Sequence, residues 1–286
     1  PGHEIVGRVS RAGSGVKRFK TNDLAGIGCF VDSDRTCSFC QKGLQQYCDH
    51  VVWTYNSTER DGRTRTFGGY SSQIVVDENY ALTIAAGQPL DRVAPLLCAG
   101  ITTYSPLRRW KAGPGRQVGI IGLGGLGHMG VKLAAAMGAE VTVFSTSRSK
   151  EADARRLGAA HFILSSDSAG MSRLKERFDL LVSTISAPYD VNAFLALLKV
   201  DATMVMVGVP PKALALEAHN LILRRRQLAG SVIGGLPETQ EMLDFCAAKK
   251  IAADVEVIPM AKVNEAYERM LKSDVRYRFV IDLKTL

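Results

Sequence analysis

Residues 117–130 read QVGIIGLGGLGHMG. A short apolar run, Val118, Ile120 and Ile121, leads straight into Gly122, Gly124 and Gly127, and the residues that follow place Leu126, Met129, Leu133 and Met137 on one helical face. Apolar run, glycine turn and amphipathic segment in this order predict strand, tight turn and helix. The glycine spacing makes a further demand. Gly122 permits the turn, Gly124 lets the backbone approach a pyrophosphate, and Gly127 lets the helix pack closely on its strand. Gly125 and Leu126 complete a loop whose free N–H groups point at the phosphates.

Moving outward, Gly138 closes the helix and Glu140 to Phe144 (EVTVF) reads as a second buried strand. Where an NAD-binding chain would place an acid for the ribose 2′-hydroxyl, this one has Ser145, Thr146, Ser147, Arg148, Ser149 and Lys150. Hydroxyls and two cations suit a 2′-phosphate, so the expected cofactor is NADP(H). The plainer alternative is a solvated loop in which Ser147 caps the next helix.

The same grammar continues. Strands are expected near 118–121, 140–144, 161–164, 179–183, 203–207 and 228–232, with helical stretches between them. Six strands joined by crossovers imply a doubly wound parallel sheet. The chain before it differs: residues 5–9, 24–31, 70–76 and 81–84 are short segments broken by Gly, Asn and Asp, an antiparallel, barrel-like pattern. After residue 235, a helix over 237–249, a second near 262–272 and a closing strand over 278–283 are expected. Both chain ends then build one β-rich domain, 1–104 with 235–286, around an inserted cofactor domain, 105–234.

Composition bounds the function classes. The chain has 286 residues, 46% hydrophobic and 22% charged, an ordinary globular balance that argues against disorder. The net charge of +8 is spread, with its longest runs at 17–20, where Phe19 is the single aromatic, and 224–226, so no nucleic-acid partner is expected. No apolar stretch reaches the length of a membrane span. Six cysteines that include a C-x-x-C pair suggest metal ligation in a reducing compartment, hence the cytoplasm, rather than disulfides.

Near its start the chain reads P-G-H-E-I-V-G, with Gly13 and Val16 following at fixed spacing. Together with C-A-G-I-T-T-Y-S-P-L at 98–107, the glycine loop, I-G-G-x-P-E-T-Q-E-M-L-D-F-C at 233–246, N-E-A-Y-E-R-M at 264–270 and Y-R-F-V-I-D at 277–282, this resembles the zinc-dependent medium-chain dehydrogenase/reductase superfamily. The similarity is greatest to its cinnamyl alcohol dehydrogenase branch of NADP-dependent aldehyde reductases. The resemblance implies a Rossmann α/β domain inserted in a GroES-like β-barrel domain.

It also implies site residues. His3 and Cys98 are ligands of a catalytic zinc, with Glu4 as a neighbouring acid that can exchange onto the metal; imidazole and thiolate are preferred zinc donors. Thr102 borders the nicotinamide, Thr184 to Ser186 and Gly208, Val209 and Pro210 line the cofactor cleft, and Arg278 reaches the cofactor phosphates. In the family a third ligand, a cysteine, and the hydroxyl that begins a proton relay lie upstream of the Gly-His-Glu motif, so they are expected before Pro1, as is any targeting segment. Cys29, in A-G-I-G-C-F, reads as an interior strand residue rather than a substitute.

The family's structural zinc lobe has the spacing C-x2-C-x2-C-x7-C, kept here by Asp34, Cys37, Cys40 and Cys48 with a carboxylate in the first position. Either a weakened Cys3Asp zinc site or an empty lobe follows. The implied activity is hydride transfer between NADPH and an apolar or aromatic aldehyde, with Trp53 near the substrate channel. The rival is a catalytically incomplete NADP-binding protein of the same fold. The resemblance further implies a homodimer paired through residues 231–235.

Overall fold

A computed structural model describes residues 1–286. The chain divides into two compact units, Pro1–Ile101 with Ile233–Leu286, and Thr102–Val232.

The Thr102–Val232 unit is built on a six-stranded sheet. Its strands are Gln117–Ile121, Glu140–Ser145, His161–Leu164, Phe178–Ser183, Leu198–Met206 and Gln227–Gly230. Across the sheet they run in the order third, second, first, fourth, fifth, sixth, every pairing parallel. This is the doubly wound arrangement, whose strand order reverses beside the first strand. The strands are apolar on both faces because helices cover both: Val118, Ile120, Val141, Val143, Leu180, Val182 and Val205 are all fully buried. Phe144 lies edge-on to both Phe178 and Phe194, which fixes the packing beside the sheet.

The other unit is mostly antiparallel. Ile5–Arg8 pairs with Leu24–Ile27, which pairs in turn with Leu82–Thr83. Phe30–Asp32 pairs with Val52–Trp53, and Tyr55–Thr58 with Arg65–Phe67. A parallel pair, Val255–Pro259 with Arg278–Asp282, comes from the C-terminal part. The helix Leu236–Lys249 begins with Pro237 in its first turn and ends where Lys250 turns left-handed at φ 55°.

Several expectations change. Residues 70–76 contain no strand, and 24–31 is two strands separated at Gly28 and Cys29, with register irregular in the second pair. Residues 231–235 are not strand; the edge strand ends at Gly230. The hairpin of residues 55–67 and the strand Val255–Pro259 were not foreseen. No helix is long and apolar enough to cross a membrane.

Candidate active site

Three segment ends bring one imidazole and two thiols together. His3 immediately precedes the strand Ile5–Arg8, Cys29 occupies the break between Leu24–Ile27 and Phe30–Asp32, and Cys98 separates a short 3-10 turn from the helix Ala99–Arg109. Their donor atoms all lie within 4.8 Å of one another. Cys29 is thus no interior strand residue. The strand ends at Ile27 and resumes at Phe30, so Gly28 and Cys29 form the break. That glycine was the sequence signal.

The electrostatics of the three are coupled. Hydrogen bonding from Cys29 first, and then from His3, holds the Cys98 thiol well below its ordinary value against the cost of burial. The same Cys98 contact and burial push Cys29 well above its own. The bond to Cys98 raises His3. Cys29 Sγ donates to the Leu97 carbonyl at 3.7 Å. The ring of Tyr55 stacks on His3 with centroids 5.5 Å apart, an orienting contact the sequence did not suggest.

Glu4 does not join this cluster. Its Oε1 accepts from Arg278 Nη2 at 2.6 Å and from the Ala99 N–H at 3.3 Å. Burial raises the Glu4 carboxyl, and the Arg278 charge opposes the rise. Arg278, expected on the cofactor phosphates, is engaged by Glu4. Thr102 is buried one turn into the helix that begins after Cys98, so it caps nothing. Trp53 is partly exposed on its short strand. Behind Cys29 a small cavity is walled by Phe30, Leu82, Leu97, Ile101 and Leu236, an apolar surface.

A second cluster gathers Asp34, Cys37, Cys40 and Cys48, with one ligand atom from each within 4.8 Å of the rest. Cys40 and Cys48 are buried. Asp34 Oδ1 accepts the N–H groups of Cys37 and Thr36, both at 2.8 Å, and these two bonds bring the carboxyl down to about 2. Burial pushes the Cys40 thiol up to about 11.

In the other unit, the glycine turn has the predicted construction. Gly122 sits at φ 94°, a left-handed conformation that disfavours any side chain. A Cβ on Gly127 would lie 2.1 Å from the Gly122 carbonyl oxygen, whereas one on Gly124 would meet nothing within 4 Å. Gly127 is therefore constrained by packing and Gly124 borders open space where a ligand can approach. Leu126 forms the helix N-terminus at Gly127, and the buried His128 holds the Gly125 carbonyl through Nδ1 at 2.8 Å. His128 was missed because a histidine inside an apolar helix carries no motif of its own.

The loop after Glu140–Ser145 is a compact hydroxyl and cation cluster. Ser145 Oγ accepts the Ser147 N–H, and the Ser147 and Ser149 hydroxyls bond each other at 2.8 Å. Ser147 makes no side-chain cap to the turn that follows. Thr146 lies in the same loop, and Arg148 is largely exposed, with one contact to Glu151 at 3.3 Å. Lys150 Nζ reaches back to the Leu123 carbonyl at 2.8 Å, tying this loop to the glycine turn. Thr184 Oγ1 donates to the Ile121 carbonyl at the base of that turn. Gly208 packs so tightly on the Ile185 carbonyl that a side chain is excluded, and Val209 beside it is exposed.

Comparison with known proteins agrees with both halves of this geometry. A model described as alcohol dehydrogenase GroES-like domain matches residues 1–86, and one described as zinc-binding dehydrogenase matches residues 125–248. The chain is 56% identical to NADP-dependent alcohol dehydrogenase C 1 of Mycolicibacterium smegmatis, over all of this chain and 82% of that protein. It is 54% identical to the aldehyde reductase YahK of Escherichia coli, with the same coverage. Among solved structures, a cinnamyl alcohol dehydrogenase of Sorghum bicolor superposes with a TM-score of 0.97 at 44% identity, covering 99% of this chain and 81% of that one. The cinnamyl alcohol dehydrogenase of Helicobacter pylori, complexed with NADP(H), gives 0.93 at 42% identity, covering 99% and 82%. Glycine turn, sulfur and imidazole cluster, and these likenesses together place the chain in the zinc-binding alcohol dehydrogenase family, on its cinnamyl alcohol dehydrogenase-like branch.

Proposed function

We propose that this chain is a zinc-dependent, NADP(H)-linked alcohol dehydrogenase that reduces apolar and aromatic aldehydes and, in reverse, oxidises the alcohols. The observation that carries the reading is the gathering of His3, Cys29 and Cys98 from separate segments within 4.8 Å. One imidazole and two sulfurs at this separation suit zinc, whose ligand bonds are about 2.0–2.3 Å long.

His3 and Cys98 would hold the metal, with the His3 ring stacked on Tyr55. Bound zinc supplies a Lewis acid for the carbonyl oxygen, where negative charge develops as hydride reaches the carbon. NADPH supplies the hydride. Glu4, positioned by Arg278, keeps a carboxylate beside the metal donors.

The glycine turn would hold the cofactor, with the N-terminus of the helix at Gly127 and the open space at Gly124 available to its pyrophosphate. Ser145, Thr146, Ser147, Arg148 and Lys150 take the 2′-phosphate, and Thr184, Gly208 and Val209 line the cleft. Thr102 borders the nicotinamide. The working form is a homodimer in the cytoplasm, a reducing compartment in which cysteines that hold metal stay unbridged.

The test is NADPH oxidation by a panel of aromatic, aliphatic and sugar aldehydes, before and after a chelator strong enough to strip zinc. Turnover of the aromatic members that is lost on chelation and restored by zinc supports the reading. Tight NADPH binding without turnover in zinc-replete protein would favour the binding-only rival.

A further inference from the structure

His128 is a fully buried histidine, the second residue of the helix Gly127–Ala136, and the reaction proposed above leaves it without a task. We propose that His128 is a positioning residue for NADP(H): its ring holds two carbonyls of the glycine turn so that the N–H groups of the same peptides face the cofactor's pyrophosphate. The inference rests on the reading that this turn holds that pyrophosphate.

The ring's Nδ1 lies 2.8 Å from the Gly125 carbonyl oxygen and 3.3 Å from that of Gly124. A carbonyl oxygen can only accept, so Nδ1 carries a proton and donates to both. The Gly124 oxygen also takes the His128 backbone N–H, at 3.0 Å. In a planar trans peptide the C=O and the N–H point in opposite directions. Drawing the carbonyls of Gly124 and Gly125 toward the buried ring therefore turns the N–H groups of Gly125 and Leu126 away from it. Neither N–H has an acceptor within the chain, and no side chain caps the helix at Leu126. Unpaired N–H groups turned outward are what an anion at a helix N-terminus requires.

The middle of the turn is where such a hold is needed. Gly122 is set by its left-handed backbone and Gly127 by its contact with the Gly122 carbonyl, whereas a Cβ on Gly124 would meet nothing within 4 Å. Lys150 secures the Leu123 carbonyl, one residue earlier. Two successive glycines rotate freely. Without His128, either peptide would also sample orientations that present a carbonyl oxygen to the phosphates, and binding would carry the cost of ordering them.

The competing account is that the ring only fills space beside the turn. Asparagine and leucine separate the two. The asparagine amide nitrogen is as many bonds from the backbone as Nδ1, so His128→Asn keeps a donor at that reach while deleting the rest of the ring. His128→Leu fills the space and removes the donor.

The experiment uses the full chain. Calorimetry measures the affinity of the unsubstituted protein, His128→Asn, His128→Leu and Gly124→Val for NADPH and for adenosine 2′-monophosphate, which carries the 2′-phosphate and no pyrophosphate. Thermal melts without ligand report folding. The proposal expects His128→Leu to bind NADPH roughly tenfold or more weakly and His128→Asn to stay within about threefold of the unsubstituted protein. Adenosine 2′-monophosphate should bind every variant alike. NADPH affinity that follows melting temperature and not the donor, or equal losses for both ligands, would reduce His128 to a packing residue. Nitrogen NMR of protein labelled in its histidines covers the case in which His128→Leu fails to fold. The resonance that His128→Asn removes should belong to a ring protonated at Nδ1, and a bare Nδ1 would overturn the proposal. Intact NADPH binding by Gly124→Val would place the pyrophosphate elsewhere and remove the underlying reading too. Weak binding by Gly124→Val together with normal binding by His128→Leu would sink the positioning role alone.

Discussion

Cys29 and Cys98 are chemically identical, yet the fold gives them opposite tasks. Cys98 is drawn down by hydrogen bonds it accepts, and Cys29 is pushed up by the bond it donates and by burial. In the proposed reading His3 and Cys98 are the ligands, so replacing either should remove the catalytic zinc, whereas Cys29→Ser should retain most of it. Metal content of the three variants checks this, and equal losses would make Cys29 a ligand of the same rank. His3, Glu4 and Cys98 were readable because they sit in motifs. Cys29 was not, because an apolar setting resembles a strand interior until Gly28 is recognised as its break.

The cofactor residues divide similarly. Arg148 stands largely free in solvent, while Lys150 is bonded to the Leu123 carbonyl in the glycine turn. Arg148→Ala should weaken NADPH binding and leave NADH nearly unaffected, since only the 2′-phosphate loses a charge-assisted contact. Lys150→Ala should weaken NADPH more than NADH as well, but with a measurable NADH loss from the released turn. Fluorescence titration with both cofactors decides; equal losses for NADPH and NADH in both variants would sink the NADP assignment.

At the scale of the element, the strand, glycine turn and helix of residues 117–136 separate packing from binding. A Cβ on Gly127 would press on the Gly122 carbonyl, whereas Gly124 faces open space. Gly127→Ala should cost about 1–3 kcal/mol of stability as well as cofactor affinity, while Gly124→Ala should leave the melting temperature unchanged and weaken only NADP(H). Thermal melts with and without cofactor read both effects. A stable Gly127→Ala that binds normally would contradict the observed packing.

This element was legible because buried parallel strands are continuous apolar runs, and glycine marks their ends. The hairpin over residues 55–67 was not, since Asn56, Ser57, Thr58, Arg65 and Thr66 carry no apolar alternation; it is held by register and the bond of Thr66 Oγ1 to the Ser57 N–H. Residues 70–76 failed the other way. Ile74 and Val76 pack on the core of Phe19, Ile27 and Ala81 without joining a strand partner, so burial alone had imitated a strand pattern.

For the whole molecule, the open edge of the six-stranded sheet raises the question of assembly. Gln227–Gly230 pairs with Leu198–Met206 on one side only, and Ile222, Leu223 and Val232 beside it are exposed apolar residues. An unpaired edge flanked by apolar side chains is a template for pairing with another chain, and a two-fold axis lets two copies cover each other's edges. The proposed homodimer accordingly uses the edge strand itself rather than residues 231–235. Sedimentation at micromolar concentration should give twice the chain mass. Ile222→Asp with Leu223→Asp should yield monomers that still bind NADPH, because neither residue belongs to the glycine turn or its hydroxyl loop. A monomeric unsubstituted protein, or a dimer indifferent to both charges, would move the interface elsewhere or remove it.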